Sequence, residues 1–155
     1  MPVKISELID EMDMQMDEYH TYLNKETNII VTVSNEGLSI AEESDEGDDF
    51  SQYPDWQKQN IMEALDIIVN WDKYVELPDK YDINEYNIME NFCFSLDNEK
   101  IMNELLYAIR GRGAFRRFKD KVQRLGIQQQ WDKFREETFK EIAIEWCEYN
   151  NIPYI

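Results

Sequence analysis

From Asn84 to Asn150 apolar residues return every three or four positions, broken only by the polar pair Asp97-Asn98 and by Gly111, Gly113 and Gly126. That period belongs to helices that bury one face. It predicts a helix over Asn84–Leu96, with Tyr86, Met89, Phe92, Cys93 and Leu96 inward. A second is expected over Asn98–Arg110, with Ile101, Leu105, Tyr107, Ala108 and Ile109 inward and Asp97 as its N-cap. Gly111 stops it in the manner of a C′ glycine. A third follows Gly113, placing Phe115, Phe118, Val122 and Leu125 on one face, and Gly126 ends it. The last runs from about Gln128 to Asn150, repeating through Trp131, Phe134, Thr138, Ile142, Trp146 and Tyr149.

The first half reads differently. Ile5, Leu8, Ile9, Met12 and Met16 mark an N-terminal helix beginning near Ser6 and Glu7. Tyr19–Leu23 and Ile29–Val33, rich in β-branched and aromatic residues, flank the polar break Asn24–Asn28 and predict a β-hairpin with a loop of about four or five residues. Tyr19, Thr21 and Leu23 share one face of their strand, and Ile29, Val31 and Val33 one face of theirs. A short helix is expected around Leu38–Glu43. Another, capped by Asp55, runs to about Trp71 with Trp56, Met62, Leu65, Ile68 and Val69 inward. Residues 74–77 alternate and stop at Pro78, so they are expected to add a third strand, because a lone hairpin is marginal in water.

These elements sum to an α+β fold, predominantly helical. An N-terminal helix and a small antiparallel sheet pack on a bundle of four to five helices, in one domain over residues 1–155. At this length folding buries roughly 68–70% of the surface of the unfolded chain, so no staple is needed. Trp56, Trp71, Trp131 and Trp146 are the expected anchors of the core.

The formal net charge is −17, and it is unevenly spread. Residues 1–95 hold 5 Lys and Arg against 23 Asp and Glu, a net of −18, whereas residues 96–155 hold 11 against 10. Such a surplus keeps a chain in solution and opposes casual contact with nucleic acid or anionic lipid. Cys93 and Cys147 lie in apolar helical stretches outside any CxxC pair. They read as buried thiols of a reducing compartment, with a disulfide between them as the alternative. With no apolar run near ~18 residues and no signal-peptide core after Met1, the expected location is the cytoplasm.

Within the second half, Arg110–Arg124 carries seven cations against Asp120 alone. Arg110, Gly111, Arg112, Gly113, Arg116, Arg117, Lys119, Lys121 and Arg124 form the candidate binding motif. Two glycines before a helix free backbone N–H groups for a phosphate or carboxylate, and arginines flank them. Set against this, the glycines make a tight turn, Phe115 and Phe118 fill the core, and the arginines pair with carboxylates of the same molecule. With both phenylalanines inward, neither is expected to stack on bases. The segment follows a helix rather than a strand, so it is no dinucleotide fingerprint.

Asp45, Glu46, Asp48 and Asp49 form an acidic surface loop without the ligand spacing of an EF-hand. Glu137, Glu141, Glu145 and Glu148 line one side of the last helix, and without Glu-x-x-His motifs they read as a solvated face. His20, the only histidine, sits in a predicted strand. No nucleophile–base set is visible. The expectation is therefore a protein without catalytic residues, metal or cofactor.

Tyr74-Val75-Glu76-Leu77-Pro78, Ile88-Met89-Glu90-Asn91-Phe92 and the run from Ala108 through Gly111-Arg112-Gly113-Ala114-Phe115-Arg116-Arg117-Phe118 to Asp120 form a pattern. Trp131-Asp132-Lys133-Phe134 and Ala143-Ile144-Glu145-Trp146 complete it. Together they resemble the uncharacterised bacterial protein family 0158, a UPF-type family, most closely over residues 70–152. The resemblance implies a cytoplasmic protein of bacterial or phage origin and transfers no catalytic residue. Where that family usually has Thr-Gly in its hairpin turn, this chain has Thr27-Asn28, and asparagine is the residue next best suited to positive φ. The expected function is a non-enzymatic binding or regulatory role through protein contacts of the acidic surface, in its sharpest form an imitation of nucleic acid offered to a basic partner. Binding of nucleic acid or another anion by the helix at 110–124 is the alternative.

Overall fold

The structure, a computed structural model, describes residues Met1–Ile155. The elements are α1 (Ile5–Asp13), β1 (Tyr19–Asn24), β2 (Ile30–Ser34), α2 (Asn35–Glu43), α3 (Asp55–Val69), β3 (Tyr74–Glu76), α4 (Lys80–Ile83), α5 (Glu85–Ser95), α6 (Glu99–Ala108), α7 (Ala114–Arg124) and α8 (Gln128–Tyr149), with a 3₁₀ turn at Trp71–Lys73. The fold is α+β and predominantly helical, with a three-stranded antiparallel sheet in the order β2-β1-β3. The chain divides into two compact units: Met1–Asp79 with Ala143–Ile155, and Lys80–Ile142.

In the first unit the hairpin closes where the polar break predicted it. The Asn24 N–H donates to the Ile29 carbonyl, and the Asn24 side-chain oxygen accepts from the Glu26 and Thr27 N–H groups. Asn28 takes φ +60°, the left-handed conformation that asparagine tolerates better than most residues. Tyr22 stands opposite Val31 on one side and Glu76 on the other, so β3 is the expected third strand. Val33 joins Ala41, Phe50, Ile61, Ala64 and Ile67 in a core cluster. The outer edge of β2 is closed by one side chain: Asn60 Nδ2 donates to the Thr32 carbonyl at 3.3 Å, and its Oδ1 accepts from the Ser34 N–H at 3.2 Å. Gly37 makes room for that amide, since a Cβ there would lie 2.4 Å from Asn60 Oδ1. The two ends of the described chain meet in this unit, where Val3 and Tyr154 form a parallel bridge.

The face assigned to α3 is wrong in the sequence reading. Ile61, Ala64 and Ile67 are its buried residues. Trp56, Met62 and Val69 are exposed at 75%, 53% and 69%, and Trp71 at 72%, while Leu65 and Ile68 are only half-buried. Asp55 is the first helical residue and not a cap; the N-cap position is Pro54.

In the second unit Phe92, Phe118 and Trp131 meet edge to face, with Phe118 and Trp131 centroids 4.7 Å apart and Phe134 beside Phe92. Such pairs add ~0.5–1.5 kcal/mol each beyond area burial. Asn98, not Asp97, caps α6, accepting from the Ile101 N–H. Tyr107 and Phe115, expected inward, are exposed; Ala114, Phe118 and Val122 hold the inner face of α7. Along α8 burial falls on Trp131, Phe139, Ala143 and Cys147, whereas Tyr149 is exposed. Cys93 and Cys147 are free, buried thiols. No helix is long and apolar enough to cross a membrane.

Candidate functional site

Charge separates along the boundary between the units. The first holds 4 Lys and Arg against 22 Asp and Glu, a net of −18; the second holds 12 against 11, a net of +1. Each unit therefore offers its own candidate surface.

On the second unit the basic motif is in large part a turn. Gly111 and Gly113 take φ +70° and +77°, closing α6 and opening α7, where Gly113 is the N-cap residue. Arg117 reaches back across this turn: Nε donates to the Ala108 carbonyl at 2.8 Å, and the two terminal nitrogens donate to the carbonyls of Arg112 and Arg110. A guanidinium suits this position because its planar fork serves several of the unpaired carbonyls at a helix C-terminus, where the dipole also favours positive charge. Arg110 lies over the Tyr107 ring, 5.6 Å from its centroid, and Lys121 pairs with Glu104 at 3.7 Å. The side chains of Arg112, Arg116, Lys119 and Arg124 are exposed and make no ion pair. The cavity of about 350 Å³ between α6 and α7 carries both signs, Glu104 and Asp120 beside Lys121 and Arg124.

On the first unit the acidic loop is partly committed to its own backbone. Asp48 accepts from the Phe50 N–H at 2.9 Å, which holds Phe50 at φ +55° with its ring in the core. Asp49 accepts from the Ser51 N–H at 3.1 Å, and that bond lowers its carboxyl below the ordinary range. Asp45 and Glu46 are exposed. Glu145 and Glu148 of this unit are exposed as well, as are Glu137 and Glu141 of the second, and Glu148 accepts from the Tyr154 hydroxyl at 2.8 Å. No group of His, Cys, Asp and Glu is arranged to hold a metal ion.

A second acidic surface on the same unit has no counterpart among the motifs of the sequence. Asp55, Glu63 and Asp66 project from the outer side of α3, at the helical spacing that puts them on one face. They border an open groove of about 400 Å³ with Met62, Val31 and Tyr74. Asp66 is held in place, accepting from the Tyr74 hydroxyl and, at 2.7 Å, from Asn70 Nδ2. Burial, with the Asp66 hydrogen bond second, raises the Tyr74 hydroxyl pKa, and the charge of Glu63 adds to it.

The chain belongs to Uncharacterised protein family (UPF0158), whose defining pattern matches residues 1–155. No curated protein and no solved structure matches it.

Proposed function

We propose that this is a non-enzymatic binding or regulatory protein acting through protein contacts of its acidic unit, whose carboxylates stand in for nucleic-acid phosphates in the basic groove of a partner. The observation that carries this reading is the confinement of the whole charge surplus to one compact unit, −18 against +1. Concentrated charge of one sign steers association and selects partners of the other. Trp56 and Trp71 support it, because exposed tryptophans are the side chains most enriched where binding energy concentrates. The same reading places the protein in the bacterial cytoplasm, in keeping with two unpaired thiols.

A second reading has its own observation. Arg112, Arg116, Lys119 and Arg124 are unpaired, and Phe115, half-exposed among them in sequence, is available for stacking. On that reading the basic helix binds nucleic acid or another anion.

One experiment separates the two: the immobilised full chain is exposed to bacterial lysate with and without nuclease, beside an Arg112→Ala, Arg116→Ala, Arg124→Ala variant. The acidic reading expects a basic protein retained by both forms after nuclease and released by added duplex DNA. Nucleic acid carried by the wild type and not by the variant overturns it in favour of the helix.

A further inference from the structure

We propose that the groove on the outer side of α3 is the part of the acidic unit that docks a cationic segment of a partner protein, seating one aliphatic side chain between Lys or Arg neighbours. This deepens the reading above and rests on it.

Two features meet there. Met62 is exposed by half of its surface at the middle of a helix, and Val31 and Tyr74, from the two outer strands, continue the apolar surface. An apolar floor of this kind is what an anchor side chain fills, and the groove is within the ~300–1,000 Å³ typical of small-ligand sites. Around the floor stand three carboxylates, Asp55, Glu63 and Asp66, against the single cation Lys58. Charge complementarity therefore selects the occupant: phosphate-bearing ligands are repelled and a Lys- or Arg-flanked aliphatic residue is attracted. Asp66 is already oriented by Tyr74 and Asn70, so one rim carboxylate needs no reordering when the segment arrives.

The test is fluorescence anisotropy on the full chain with two labelled synthetic peptides, one Lys/Arg-rich with a central leucine and the same peptide with serine in its place. Glu63→Lys should weaken binding of the leucine peptide about tenfold, and Glu63→Gln by less. Changing Asp45→Asn with Glu46→Gln, in the same unit but outside the groove, should cost less than about threefold. Replacing leucine by serine should cost the wild type several-fold and a Met62→Gln variant nothing further, which a purely electrostatic contact would not produce. If groove and loop variants weaken binding alike, the groove is wrong and diffuse acidic binding stands. If neither peptide binds, the acidic reading falls with it. Unchanged far-UV circular dichroism of each variant ties the losses to the surface.

Discussion

Arg117 and Ala108 lie on consecutive helices, and the Arg117 Nε donates to the Ala108 carbonyl at 2.8 Å, with the remaining nitrogens on the carbonyls of Arg110 and Arg112. One residue of an apparent binding motif thus terminates a helix. Arg117→Ala should cost about 1–2 kcal/mol, the loss of charge-assisted bonds tempered by exposure. Arg117→Lys should not restore it, because one ammonium does not reproduce the fork. Arg112→Ala and Arg124→Ala should stay within about 0.5 kcal/mol. Urea denaturation of the four variants decides this, and equal losses at all three positions would remove the distinction.

Asn60 closes the open edge of β2, so its removal should do more than weaken the fold. Asn60→Ala leaves the Thr32 carbonyl and Ser34 N–H exposed along an edge strand, a ready template for another chain. The expected outcome is a loss of about 1–2 kcal/mol together with concentration-dependent aggregation on mild heating. Gly37→Ala should act through the same amide, displacing it at a cost of about 1–3 kcal/mol. In combination with Asn60→Ala that cost should shrink, and a double-mutant cycle with no coupling would contradict the link.

His20 gives a pH dependence whose sign follows from its partners. Its Nδ1 meets Glu76 Oε1 at 2.9 Å and its Nε2 meets Asn35 Oδ1 at 2.6 Å, so an imidazolium has an acceptor for each N–H. The Glu76 bond is the largest influence; with help from Asn35 and the charges of Glu76 and Asp79 it outweighs burial, and the pKa is raised. A raised folded-state pKa contributes stability fully below the unfolded value of about 6.5 and loses it as pH climbs through the folded value. The melting temperature of the wild type relative to His20→Gln should therefore fall as pH rises above about 6.5. A flat or rising difference would refute the assignment.

The two thiols offer separate probes, since Cys147 belongs to the first unit and Cys93 to the second. Burial raises both to about 11 and leaves each fully covered. Neither should react with an aromatic disulfide reagent until its surroundings open. Self-repulsion at −18 opposes compaction in the first unit and is screened by salt. Lowering the salt should therefore speed labelling of Cys147 (measured in Cys93→Ala) several-fold more than labelling of Cys93 (measured in Cys147→Ala). Equal acceleration would show that the units open together.

Local chemistry made much of this fold readable. Asn24, Thr27 and Asn28 signalled the hairpin loop through their turn preferences, and Gly111, Gly113 and Gly126 punctuated the helices where left-handed backbone is needed. Helix faces were less legible. In α3 apolar residues surround the axis, from Trp56 through Met62 to Val69, so periodicity names no inner side and does not single out Ile61, Ala64 and Ile67. In α8 the buried positions at 143 and 147 are a small alanine and a cysteine, which weigh little on any apolar count. Trp146, which does, instead donates its indole N–H to the Glu76 carbonyl at 2.9 Å. The groove beside α3 was invisible for the same reason: Met62 had been assigned to the core. The groove also brings α3 to Val31 of β2, more than twenty residues earlier in the chain, and no local pattern announces such a meeting.

The bridge between Val3 and Tyr154 makes the acidic unit discontinuous along the chain, with residues 80–142 inserted into it. Synthesis proceeds at about 5–20 residues per second, and the inserted segment, continuous in sequence, has all of its own residues before the acidic unit does. The acidic unit instead waits several seconds for 143–155. During that wait its hairpin lacks Trp146 at the edge of β3, and Val3 and Ile5 lack the backbone partners that Pro153 and Ile155 supply. Residues 1–79, which wait, already carry 4 Lys and Arg against 20 Asp and Glu, a net of −16, and like charge of that size opposes contact between neighbouring unfinished copies.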